Sequence, residues 1–256
     1  MKNTILKFAA LSLIMASFLT HPALAEKTTA VIKVFDKKTG EERSSGEFLV
    51  RFDDQTGELT QLTMGRGRVA EYENVRFLQR SILKDENPFK PLFSEATYYD
   101  EKDNNVGGFL IKYDHDKHLA TFIRYKEKRQ ERFRREFAIE GPICDGLNMP
   151  LFLERFLLQH ENLAASHFYL ISSEPKLYKV NIYYRPTEEV QIGGQAVLAK
   201  KIQLIADMGP ITNFVANFLP KTYLWFSARK PYRWLKYEGL EEGPDSAHIV
   251  VKLERQ

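Results

Sequence analysis

From Thr28 to about Tyr125 the chain alternates short runs of apolar and polar residues, and each run stops at a cluster of turn formers. AVIKVF gives way to DKKTGEE, GEFLVRF to DDQTGE, ELTQLTM to GRGR, SEATYYD to EKDNN, and GGFLIKY to DHDKH. Alternation with a period of two marks strands with one face buried, and Asp, Asn and Gly at the breaks supply tight turns. The pattern predicts an antiparallel meander. Residues 75–92, VRFLQRSILKDENPFKPL, fit it poorly and read as a strand followed by a long loop containing proline.

Residues 118–143 carry both periods. Leu119, Thr121, Ile123 and Tyr125 alternate, and Phe133, Arg135, Phe137 and Ile139 resume the alternation. Helical spacing would instead group Phe122, Tyr125, Arg129, Phe133 and Phe137. The flanking β-branched and aromatic residues favour two strands.

The helix signal is clearest over CDGLNMPLFLERFLLQHENLA. Asn148 stands at the N-cap position and Pro150 in the first turn, where a missing N–H costs nothing. Leu151, Phe152, Leu153, Phe156, Leu157 and Leu158 cover most of the circumference, which predicts a helix buried on nearly every side. Further strands follow in KLYKVNIYYR, EEVQI and QAVLAKKIQLIAD, the last two joined by a Gly193-Gly194 turn. Ile211, Phe214, Val215, Phe218 and Leu219 then predict a short amphipathic helix between Pro210 and Pro220. TYLWFSA, YRWLKYEG and AHIVVKLE end the chain as strands. The expected fold is mainly β: a curved antiparallel sheet, half-barrel-like, wrapped around a buried apolar helix, with a second short amphipathic helix.

The first 25 residues change the picture of location. Lys2 and Lys7 precede an apolar run from Phe8 to Leu19, and Ala23-Leu24-Ala25 follows. This is the order of a secretory signal peptide, with cleavage expected after Ala25 and residues 26–256 forming one exported β-rich domain. The apolar run is too short to anchor the chain in a bilayer. No cysteine stands at the cleavage point, so a lipoprotein is excluded. The expected location is outside the cytoplasm, periplasmic in a cell with two membranes. Of the 37 basic residues two leave with the leader, so 35 face 34 acidic residues. A chain so balanced has no global field to hold nucleic acid.

The arrangement of the Asp145 turn, the apolar helix from Pro150 to Gln159, the YKVNIYYR strand, the Gly193-Gly194 turn and the LWFSARKPYRWLKYEG ending resembles an uncharacterised family of exported bacterial proteins, a domain of unknown function of the 3108 type. Such proteins look like lipoprotein-carrier half-barrels, in which a curved sheet wraps apolar helices. The resemblance implies binding of a lipid or other hydrophobic ligand without chemistry. The alternative is an envelope scaffold that binds another protein through an exposed Trp/Arg surface.

The candidate chemistry follows from these elements. A cavity would be lined by Phe152, Phe156 and Leu157, with Phe214 and Phe218 as a lid; the same residues would equally build a filled core. In LPKTYLWFSARKPYRWLKYEG neither strand face is clean, which predicts that at least one of Trp225 and Trp234 is partly exposed. Trp234, Arg233 and Arg229 could then form a rim for an interface; cross-strand aromatic packing is the competing reading. The basic run KEKRQERFRR reads as a solvated hairpin tip or a contact for anionic headgroups. His115 and His118 flank Asp116 in DHDKH without an identifiable third ligand, so no metal is expected. Cys144, the single cysteine, cannot form an internal disulfide and reads as a structural thiol. No nucleophile elbow, phosphate loop or HExxH occurs. No catalytic residue and no cofactor is assigned.

Overall fold

The computed structural model describes residues 24–86, 89–159, 166–207, 221–242 and 246–255. The chain forms β1 (Leu24–Asp36), β2 (Glu42–Asp53), β3 (Glu58–Val69), β4 (Tyr72–Lys84), β5 (Lys90–Tyr99), β6 (Asn105–Asp114), β7 (Leu119–Lys126) and β8 (Glu131–Ala138). A short β9 (Ile143–Asp145) leads into helix α1 (Met149–Gln159). Then come β10 (Ser166–Ile171), β11 (Leu177–Ile192), β12 (Gln195–Asp207), β13 (Thr222–Ser227), β14 (Trp234–Leu240) and β15 (His248–Arg255). The expected second helix, with Phe214 and Phe218, and the leader up to Ala23 lie outside the described residues.

All 15 strands belong to one sheet, ordered β8-β7-β6-β5-β4-β3-β2-β1-β15-β14-β13-β12-β11-β10-β9. Two runs of consecutive neighbours meet where β1 pairs antiparallel with β15, Val34 opposite Val251. Neighbours are antiparallel except β9 and β10, which are parallel. Laid flat, such a sheet would hold its edge strands roughly 65 Å apart. Those edges are β8 and β9, which are consecutive in the chain and joined by residues 139–142. A link of that length spans at most about 18 Å. The sheet therefore has to roll up, and α1, entered directly from β9, is carried inside the roll.

The inner surface holds two apolar groups. One surrounds α1, where Phe152, Phe156 and Phe168 pack with ring centroids 5.5 to 6.3 Å apart. It takes in residues of β1 to β4 and of β9 to β15, including Ile202, Leu224 and Phe226. The other joins Phe77, Tyr98, Phe109, Ile111 and Phe122 to Ile143 and Ile171 of β9 and β10, so the two edges of the sheet meet across a shared core. A large side chain fully removed from water contributes about 1.5–3 kcal/mol, so these groups hold the roll closed.

Several expectations are corrected. GRGR is not a turn: β3 continues through Gly65 and Gly67 to Val69. Gly65 lies opposite Gly46 on one side and Phe77 on the other, and a Cβ there would overlap the Ser45 carbonyl oxygen and the Phe77 ring. Glycine is in the strand because the backbones approach closely and a neighbouring aromatic ring lies over the bare position. The long loop expected within residues 75–92 shortens to residues 85–89, because β5 begins at Lys90 and accommodates Pro91 at a register shift opposite Ile82 and Leu83. KLYKVNIYYR and EEVQI form one strand, β11, with Pro186 in a second register shift between Arg185 and Glu188. Residues 119–138 form two strands, and β10 went unread in the sequence.

Gly65→Val should lower the stability to urea by about 1–3 kcal/mol, the usual cost of overpacking. An unchanged unfolding midpoint would show that Phe77 and β2 are not closely packed on Gly65.

Candidate functional site

Asp145, at the end of β9, fixes the entry to α1. Its carboxylate accepts hydrogen bonds from the Tyr113 hydroxyl (2.7 Å), Asn148 Nδ2 (2.6 Å) and the Leu147 backbone N–H (2.8 Å). Asn148 Nδ2 also donates to Ser94 Oγ (3.0 Å), which pairs with Ser81 Oγ (2.9 Å). Asn148 stands where a cap was expected, and its carbonyl accepts the Phe152 N–H. Its side chain turns back to Asp145 and Ser94, so it fastens the helix start to the sheet. Burial pushes the Asp145 carboxyl up, while hydrogen bonds from Ser94 and Tyr113 pull it back. Burial, and after it the charge of Asp145, pushes the Cys144 thiol well up, which removes its nucleophilic form.

Beside this joint the roll is not filled. A cavity of about 270 Å³ lies between the sheet and the start of α1. Alternate residues of successive strands face it: Ile32 and Val34, Gln61 and Thr63, Phe77 and Gln79, Phe109 and Ile111, Ile249 and Val251. Leu147, Met149 and Pro150 close one side, and Phe48, Trp234 and Tyr237 another. Half-buried Ser172, Ser173, Glu241 and Glu242 also border it.

Two wall residues carry buried polar atoms without a partner. Trp234 is 6% exposed and Gln61 4% exposed, and among the described residues the Trp234 indole Nε1 has no acceptor and the Gln61 Oε1 no donor. Gln61 Nε2 is used, donating to the Leu147 carbonyl at 2.6 Å. Leaving such an atom buried and unpaired costs about 1–3 kcal/mol.

Three of the predicted lining residues are described, and Phe214 and Phe218 are not. Phe152, Phe156 and Leu157 are buried in the packed group around α1, and none borders this cavity. Trp234, placed on a surface rim by its sequence neighbours, is instead on the cavity wall, its ring edge-on to Phe48 with centroids 6.1 Å apart. Both tryptophans are buried, which corrects the expected exposure. The reason is a bulge: Phe226 pairs with Trp234 and Trp225 with Lys236, so Leu235 is an extra residue and Trp234 and Leu235 are both buried. Trp225 packs among its own neighbours. Lys201 and Lys236 lie opposite it on both sides with ammonium groups 4.9 and 4.1 Å from its ring, and its Nε1 donates to Glu188. The alternation of aromatic and basic residues that suggested a headgroup surface is thus consumed within the sheet. Arg229 is exposed and Arg233 half-buried in the loop before β14.

The basic run is the solvated hairpin of β7 and β8, with Arg129 paired to Glu95 and Arg134 to Glu131. His115 stacks on Tyr113 and hydrogen-bonds the Pro91 carbonyl through Nε2. Among the described residues no group of three or more His, Cys, Asp or Glu side chains could hold a metal ion. No described helix is long and apolar enough to cross a membrane.

No protein-family model matches the chain, and no curated protein does. The resemblance read from the sequence thus has no family match behind it. Among solved structures the chain is similar to a beta-barrel-like protein of the domain of unknown function DUF1849 from Brucella abortus. The identity is 11%, the TM-score 0.49, and the match covers 91% of this chain and 97% of that one.

One titratable group bears on the wall. Glu154 of α1 accepts the Trp234 backbone N–H at 2.6 Å, and burial raises its carboxyl to about 7 against the pull of Trp234 and Arg233. The unfolded chain gives up this proton near 4.5, so between about 4.5 and 7 the folded chain binds more. Its contribution to stability is present below that window and declines as pH rises through it. Glu154→Gln should remove part of the fall in unfolding free energy between pH 5 and pH 7.5. Parallel stability-pH curves for the two proteins would contradict the assignment.

Proposed function

We propose that this chain is an exported binding protein that holds one apolar or lipidic small molecule inside its rolled sheet and does no chemistry on it. The observation that carries the reading is the 270 Å³ cavity whose wall holds two buried, unpartnered polar atoms, Trp234 Nε1 and Gln61 Oε1. Ligand sites are mostly apolar hollows with a few polar groups that orient the occupant, and such atoms are where an occupant would repay its desolvation. The volume lies just under the usual range for small-molecule sites, which suits a compact or short-chain ligand. The Asp145 network stands beside the cavity with its hydrogen bonds satisfied and supports a structural role. Export rests on the leader in residues 1–25. A chain starting at Glu26 keeps the pairing of β1 with β2 from Glu26 opposite Phe52 onward.

The neutral apolar dye N-phenyl-1-naphthylamine should bind the purified protein saturably, one per chain, with enhanced fluorescence. Gln79→Phe, which fills part of the cavity from β4, should weaken binding at least tenfold with little change in the unfolding midpoint. Absence of saturable binding, or binding indifferent to this change, would contradict the proposal. The intact mass of the exported protein should correspond to a chain beginning at Glu26; a chain retaining residues 1–25 would contradict export by cleavage.

A further inference from the structure

The cavity wall also carries information about the charge of its occupant. Among the described residues that border it are three carboxyl side chains, Asp145, Glu241 and Glu242, and no lysine, arginine or histidine. Asp145 is bound into the joint at α1, whereas Glu241 and Glu242 are half-buried residues of the wall. Arg43 Nη2 lies 2.7 Å from Glu241, both side chains nearly buried, so that cation is already paired and Arg43 does not border the cavity. Burial raises the Glu242 carboxyl; Ser173 and Arg124 oppose the shift, and Glu241 and Glu71 add to it.

An acidic cluster alone would say nothing about a ligand. Here a second observation is independent of it: Trp234 is only 6% exposed, borders the same cavity, and its indole N–H has no acceptor among the described residues. Gln61 Oε1, also on the wall, requires a donor. A carboxylate or phosphate could accept from Trp234 but could not donate to Gln61. It would also leave water for a wall with three carboxyl groups whose neighbouring cations are already engaged, Arg43 by Glu241 and Arg124 by the Ser173 carbonyl, so its desolvation has little Coulombic return. A hydroxyl satisfies either atom, and an ammonium suits Gln61 and the glutamates.

We infer that the occupant has an apolar body and an uncharged or cationic polar end that donates hydrogen bonds, and that fatty-acid and phosphate-headed lipids are rejected. This rests on the binding role proposed above and deepens it, and its test separates the two.

Decan-1-ol, decylammonium and decanoate share one alkyl chain and differ in the head. Each is titrated at pH 7.5, below its aggregation limit, against protein loaded with N-phenyl-1-naphthylamine. The alcohol or the ammonium should displace the dye at concentrations at least tenfold lower than decanoate. Glu241→Gln combined with Glu242→Gln, which removes these two wall carboxylates and leaves Arg43 without its partner, should narrow that gap to about threefold or less. Decanoate displacing the dye as well as or better than the other two would overturn the charge inference while leaving the cavity reading in place. Displacement by none of the three from dye-loaded protein would overturn the donor-head inference alone. Failure of the dye itself to bind would overturn the binding role and this inference with it.

Discussion

The link of residues 139–142 is the constraint on which this structure depends. It ties β8 to β9, the two edges of a sheet that would be roughly 65 Å wide if flat, across at most about 18 Å. Rolling is then a consequence of connectivity. The pairing of β1 with β15 makes the roll continuous, because it is the seam between strands taken in ascending and descending chain order. Close approach at Gly46 and Gly65 lets the sheet bend beneath Phe77.

A rolled sheet with one inner helix must choose what to fill. Around α1 the space is filled by Phe152, Phe156 and Phe168 together with Leu224, Phe226 and Leu235. At the helix start the chain is pinned instead by Asp145, Asn148, Tyr113 and Ser94, a short polar joint that holds the backbone in place without occupying the roll. The cavity is what remains between that joint and the strands facing it. Its wall is shared by β1, β4, β6, β14 and β15, so it exists only in the closed roll. Glu154 ties α1 to the backbone of Trp234 and so connects the filled half to the hollow one.

Most of the fold was legible in the sequence because a strand with one buried face writes its period into the chain. The meander from Thr28 to Tyr125, the buried helix and the final strands were all visible. Other features were not, β10 among them. Gly65 and Gly67 read as a turn because the ring that covers Gly65, Phe77, lies on another strand. Pro91 and Pro186 read as breaks, since a register shift that accommodates proline in a strand leaves no local mark. Trp234 read as a surface residue because the extra residue at Leu235 reverses the alternation. Whether Phe152, Phe156 and Leu157 line a cavity or fill a core was open in the sequence: apolar spacing along α1 reports burial, and it reports a filled site and a hollow one in the same way. Gln61, between Leu59 and Thr63, and Gln79, between Phe77 and Ser81, stand on the inward faces of β3 and β4, and such polar residues on an inward face were the available signal of a wall.

The central claim is that the hollow in the rolled sheet holds a molecule. Native mass spectrometry of the protein purified from the cells that make it, without detergent, tests this most directly, with organic extraction of the same sample. The account predicts a population heavier than the bare chain by one small molecule, lost on extraction and absent from Gln79→Phe, with a neutral or amine-bearing apolar compound in the extract. A bare-chain mass under gentle conditions, together with an extract matching that of the filled variant, would contradict it.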